Sequence, residues 1–111
     1  MSTSPIDMAV YNDLADTAGA EFAAELAATF LEEAPPILAE LRAALAAQAA
    51  DGFRRAAHSL KSNGHTFGAT RLAEMARELE LGGLPAHSAP IDALEAEYLT
   101  VAAALAELIR G

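Results

Sequence analysis

The sequence predicts an all-α protein, an antiparallel four-helix bundle with a short additional N-terminal helix. Three observations carry that expectation. Hydrophobic residues make up 53% of the 111 positions, and 29 of them are alanine and 15 leucine, both strong helix formers. β-Branched residues are scarce and aromatics reach only 5%, which disfavours strands. Apolar residues then recur at i, i+3 and i+4, with Gly and Pro marking most of the breaks, so each helix has one face to bury and a short connection to the next. A chain of this length forms one domain over 1–111.

Residues 1–6 are expected to fray. The first helix runs from Asp7 to about Ala15 through Met8, Val10, Tyr11 and Leu14, and folds over one end of the bundle. The second runs from about Ala20 to Ala47. Its stripe of Phe22, Leu26, Phe30 and Leu31 continues into Ile37, Leu38, Leu41 and Leu45 beyond Pro35-Pro36. Each proline removes a backbone donor, but the apolar spacing persists across them, so one kinked helix is expected. Asp51 is the expected N-cap of the third helix, which reaches about Thr66, with a turn at Gly68. The fourth runs from about Ala69 to Leu81 through Leu72, Met75, Ala76 and Leu79, and stops at Gly82-Gly83. After a loop from Leu84 to Ala89, Pro90 is an early residue of the last helix and Asp92 suits its positive N-terminal end. That helix continues to about Arg110 through Ile91, Leu94, Tyr98, Val101, Leu105 and Leu108.

Sixteen acids against seven bases give a net charge of −9. So acidic a protein is poorly suited to DNA, RNA or an anionic membrane. Five of the bases, Arg54, Arg55, Lys61, Arg71 and Arg77, nevertheless fall within 54–77, where Glu74 is the one acid. That window carries +4 and leaves −13 for the remainder. With no cysteine there is no disulfide framework, thiolate metal site or Cys nucleophile. The N-terminus lacks the pattern of a signal peptide, and no charge-free stretch approaches the ~20 residues of a membrane span, so a cytoplasmic protein is expected.

On a helical wheel Phe53, Ala57, Leu60, Gly64 and Phe67 fall within about 40° of one line, a core stripe. His58 lies near 140°, with Arg54, Lys61 and His65 at about 80–120° and Ser62 and Arg55 at about 180–200°. His58 therefore sits off the core, on a basic face. A neutral imidazole nitrogen is a good nucleophile near pH 7, and Lys61, one turn on, offers charge to a phosphoryl group placed on it. No Gly-rich nucleotide loop and no acidic metal cluster is present, so the donor must come from elsewhere. Against this stands a plain bundle whose basic face is only solvated. Metal binding by His58, His65 and His87 is disfavoured, since no His-x₃-His pair or acidic third ligand accompanies them. Glu74, Glu78 and Glu80 read most simply as a solvated helix face, pairing with Arg71 and Arg77.

Residues 57–69, Ala-His-Ser-Leu-Lys-Ser-Asn-Gly-His-Thr-Phe-Gly-Ala, resemble the phosphorylation motif of histidine phosphotransfer (HPt) domains. The likeness extends to Leu72–Glu80 and to Phe-Leu-Glu-Glu-Ala-Pro at 30–35. It implies a four-helix bundle, with His58 as phospho-acceptor, Lys61 steadying the phosphoryl oxygens, and Glu80 hydrogen-bonding the other ring nitrogen. Arg54, Arg55, Ser62, Gly64 and His65 become the surface that meets a partner, Gly64 also keeping the helices close. Ser62 departs from the family pattern, which usually has Gly after the lysine. The implied activity is a phosphorelay between aspartates of response-regulator receiver domains, one of them on a hybrid sensor histidine kinase. Mg²⁺ is expected from the receiver, with no intrinsic cofactor or metal. The chain would be a monomeric carrier and not an enzyme with its own turnover. The alternative within the same resemblance is a helical adaptor that binds signalling partners without being phosphorylated.

Overall fold

The structure is a computed structural model, and it describes residues 5–110. Five helices follow one another: α1 (Met8–Ala18), α2 (Ala20–Ala46), α3 (Ala50–Thr66), α4 (Thr70–Gly82) and α5 (Ala89–Arg110). Asp7 caps α1, accepting from the Ala9 amide at 3.0 Å. α1 runs three residues past the expected Ala15, because no helix breaker precedes Gly19, whose φ of +100° ends the helix and begins α2. Residues 82–83 close α4 as expected, Gly83 taking a φ of +75°.

α2 is 27 residues long and passes through both prolines without a break. The amide of residue 35 would have bonded the Leu31 carbonyl, and proline has none to give. The Tyr98 hydroxyl of α5 lies 3.4 Å from that carbonyl and donates to it instead. A neighbouring helix thus supplies the partner that the sequence removed.

Asp51 does not cap α3. The helix begins a residue earlier, at Ala50, which places Asp51 in the first turn, where its charge still favours the helix N-terminus. Its carboxylate lies 3.5 Å from Arg54, three residues on.

The four long helices form a closed ring, α2 packing on α3 and α5, and α4 on the same two; α1 lies against α2 and α3. Neighbours run antiparallel. Ala44 lies beside Gly52 near one turn, while Phe30 meets Phe67 at the other end of the same pair, ring centroids 5.5 Å apart. Arg42 of α2 ties to α5 through Asp92 and Glu95. The predicted stripe of α3 is buried throughout, Phe53 and Leu60 sharing one core cluster with Leu41, Leu72, Leu94 and Leu105. Among the described residues no helix is long and apolar enough to cross a membrane.

The N-terminal segment departs from expectation. Residues 1–4 lie outside the described residues, but Ile6, included in the fraying range, is fully buried. The Asp7 amide donates to the Gly68 carbonyl at 2.7 Å, pinning this segment to the α3–α4 turn. Gly68 has a φ of +73°, and a Cβ there would stand 2.7 Å from the Asp7 carbonyl oxygen, so the turn and the docked segment both require glycine.

Candidate functional site

α3 and α4 approach closely because their contact is built from small residues. A Cβ on Gly64 would lie 3.3 Å from that of Ala73 and 3.4 Å from the Ala69 carbonyl oxygen. Gly64 is therefore buried between the helices. It keeps them close, as its size suggested, but it is no part of a partner-facing surface, because α4 covers it.

Two turns before Gly64 on α3, His58 faces the C-terminal part of α4. Its Nδ1 lies 2.7 Å from Glu80 Oε2. The His58 side chain is 58% exposed, whereas that of Glu80 is 13% exposed. The Glu80 carboxyl is held below the usual carboxylate range, first by the Lys61 ammonium and then by the His58 ring, with partial desolvation opposing both. An ionised carboxylate can only accept, so the ring must place its hydrogen on Nδ1. In the neutral ring the lone pair then sits on Nε2.

Lys61 reaches the same carboxylate. Its Nζ lies 2.7 Å from Glu80 Oε1, an oxygen closed off from solvent, and forms an ion pair with it. The lysine side chain is 22% exposed. A long cationic side chain beside a largely covered carboxylate gains more by pairing with it than by extending into water, and the ammonium turns inward. Lys61 thus meets the carboxylate that holds His58.

An open depression beside the ring is lined by Arg54, Arg55, His58, Ser59 and Glu80. The two arginines are exposed on the face where the wheel put them. Ser62 and His65 are exposed further along α3 and do not line the depression. Ser59 does, although sequence reading passed over it; the signal was its place beside His58 and one turn after Arg55. Arg71 pairs across helices with Glu97 of α5, Nε to Oε1 at 3.4 Å, and not with Glu74 or Glu78 on its own helix. His87 stays in the α4–α5 loop, where its Nδ1 accepts from the Ala89 amide at 3.3 Å. No three His, Asp or Glu side chains converge on a metal-binding point among the described residues.

The arrangement presents one imidazole with its inner nitrogen fixed by a carboxylate, its outer nitrogen open, and guanidinium groups at the rim. That suits acceptance of a small anionic electrophile. Comparison with known proteins agrees in kind. The family model described as the Hpt domain matches residues 25–107. The crystal structure of histidine-containing phosphotransfer protein B from Pseudomonas aeruginosa PAO1 superposes with a TM-score of 0.90, at 28% identity, covering 98% of this chain and 97% of that one. No curated protein matches the sequence.

Proposed function

The chain belongs to the Hpt domain family, the histidine phosphotransfer proteins of two-component phosphorelays, and from that premise we propose that His58 is its phospho-acceptor and Nε2 the atom that carries the phosphoryl group. The observation that carries this reading is the 2.7 Å contact between Nδ1 and Glu80, which commits one nitrogen and frees the other.

The lone pair of Nε2 attacks the phosphorus of an aspartyl phosphate on a receiver domain. As the new P–N bond forms, the P–O bond to the aspartate breaks, and the aspartate leaves as a free carboxylate. The ring keeps its proton on Nδ1 and becomes an N-phosphorylated imidazolium, whose positive charge the Glu80 carboxylate balances. A preorganised opposite charge at the place where charge develops is an effective form of catalytic assistance. The reverse step, with a second receiver's aspartate as nucleophile, passes the group on.

Phosphoryl transfer requires positioning and charge neutralisation more than covalent help. Mg²⁺ and the remaining catalytic groups come with the receiver, so the chain acts as carrier and substrate without turnover of its own. Its partners are response-regulator receivers, including that of a hybrid sensor histidine kinase, and it works as a cytoplasmic monomer. Arg54 and Arg55 give the site a positive rim for an acidic receiver surface, which speeds encounter.

The test mixes the protein with a phosphorylated receiver and follows acid-labile, alkali-stable label. His58→Gln abolishes labelling, and His65→Gln retains it. A chain that never acquires label from any receiver, or His58→Gln that still does, overturns the reading.

A further inference from the structure

A phosphoryl group on His58 Nε2 brings close to two negative charges to the surface of a protein that already carries −9. A cation must meet it. Lys61 is already spent on Glu80, at 2.7 Å from its solvent-shielded oxygen, and Lys61 does not line the depression beside the ring. The cations that do are Arg54 and Arg55. Arg54 shares its charge with Asp51, at 3.5 Å. Arg55 makes no ion pair among the described residues. It lies one turn before His58, within reach of a neighbour at i+3. A guanidinium also matches the oxygens of a phosphoryl group with two parallel N–H donors, which an ammonium cannot.

We infer that Arg55 is the residue that meets the phosphoryl oxygens on His58, and that Lys61 is a positioning residue that acts on the ring through Glu80. The inference rests on His58 being the acceptor. It moves to Arg55 the role that the sequence motif assigns to Lys61.

The full-length protein can be phosphorylated with phosphoramidate, a small donor that removes receiver docking from the measurement. Two readouts separate the roles: the lifetime of the phosphohistidine, and the tautomer of the unphosphorylated His58 ring from its ¹⁵N shifts. Phosphoryl transfer has a loose transition state with less charge on the transferring oxygens, so a guanidinium that favours the ground state slows loss of the group. Arg55→Ala is expected to shorten the lifetime about tenfold, the effect of one charge-assisted hydrogen bond, and to leave the tautomer unchanged. Arg55→Lys recovers part of the loss. Lys61→Ala is expected to reduce the Nδ1–H tautomer. An Arg55→Ala lifetime within twofold of the parent overturns the inference while leaving His58 as acceptor. So does a Lys61→Ala protein that loses about tenfold in lifetime with its tautomer intact. Absence of label on the parent chain, or its survival in His58→Gln, defeats the acceptor reading itself and this inference with it.

Discussion

Glu80 shows how one side chain can hold two others. Its depressed pKa ties its contribution to pH in a definite direction. A carboxyl whose folded pKa lies below its ordinary value of 4.5 contributes stability that is complete above that value and is lost as pH falls through the lower folded one. The stability difference between the parent and Glu80→Gln, measured by urea denaturation, should therefore be constant from neutral pH down to about pH 5 and close at lower pH. A gap that persists unchanged to about pH 3 would show that the pairing with Lys61 and His58 does not contribute through charge. The positions of His58 and Arg55 were legible in the sequence, because helical periodicity fixes where a side chain leaves the helix. Lys61's partner was not. A long flexible side chain with acids on more than one element chooses among them by local burial, which a wheel does not carry. Arg71 teaches the same lesson, reaching Glu97 on another helix in place of the acids on its own.

At the scale of the element, the bundle was readable wherever a stripe of apolar residues repeated. The helix ends were less so. Asp51 is a good capping residue by type, yet α3 starts before it. The prolines of α2 illustrate compensation between helices. Tyr98→Phe removes the hydroxyl that serves the Leu31 carbonyl, and should cost up to about 1 kcal/mol, the long 3.4 Å contact placing it toward the lower end. In a Pro35→Ala background the restored amide serves that carbonyl, so the cost of Tyr98→Phe should shrink; equal costs in the two backgrounds would separate the hydroxyl from the proline. The α3–α4 contact is as specific. Gly64→Val forces two branches where even one methyl would lie 3.3–3.4 Å from Ala73 and the Ala69 carbonyl. Overpacking of this kind costs about 1–3 kcal/mol, and the spreading of the two helices should also reduce the Nδ1–H tautomer of His58, readable by ¹⁵N NMR. Unaltered stability and an unaltered ring would mean that the helices need no close approach.

Across the whole molecule, the family match spans 25–107, but the folded unit is larger. Ile6 is sealed in the core and its neighbour Asp7 is bonded to the α3–α4 turn. An isolated apolar residue beside a proline has no periodicity, so nothing in the sequence distinguished Ile6 from a fraying end. Ile6→Ala is expected to lower stability by about 2–4 kcal/mol in thermal or urea unfolding, as for other large-to-small core changes. A loss under about 0.5 kcal/mol, typical of surface positions, would return the segment to the frayed state first expected. The charge distribution follows the same division between site and scaffold. Among the helices only α3, which carries His58, has more bases than acids, with Arg54, Arg55 and Lys61 against Asp51; the other four are net acidic.

The bond between Nδ1 and Glu80 has a consequence for the bookkeeping of the relay. In the step proposed for His58, Nε2 attacks with its own lone pair while the Nδ1 proton stays against Glu80, so no base is needed to remove a proton. As proposed, the step itself takes up and releases no hydrogen ion. The balance of phosphate between carrier and receiver is then set by how strongly each end holds the group and by how much of each protein is present. Such a link can run in either direction and leaves the choice of direction to its neighbours.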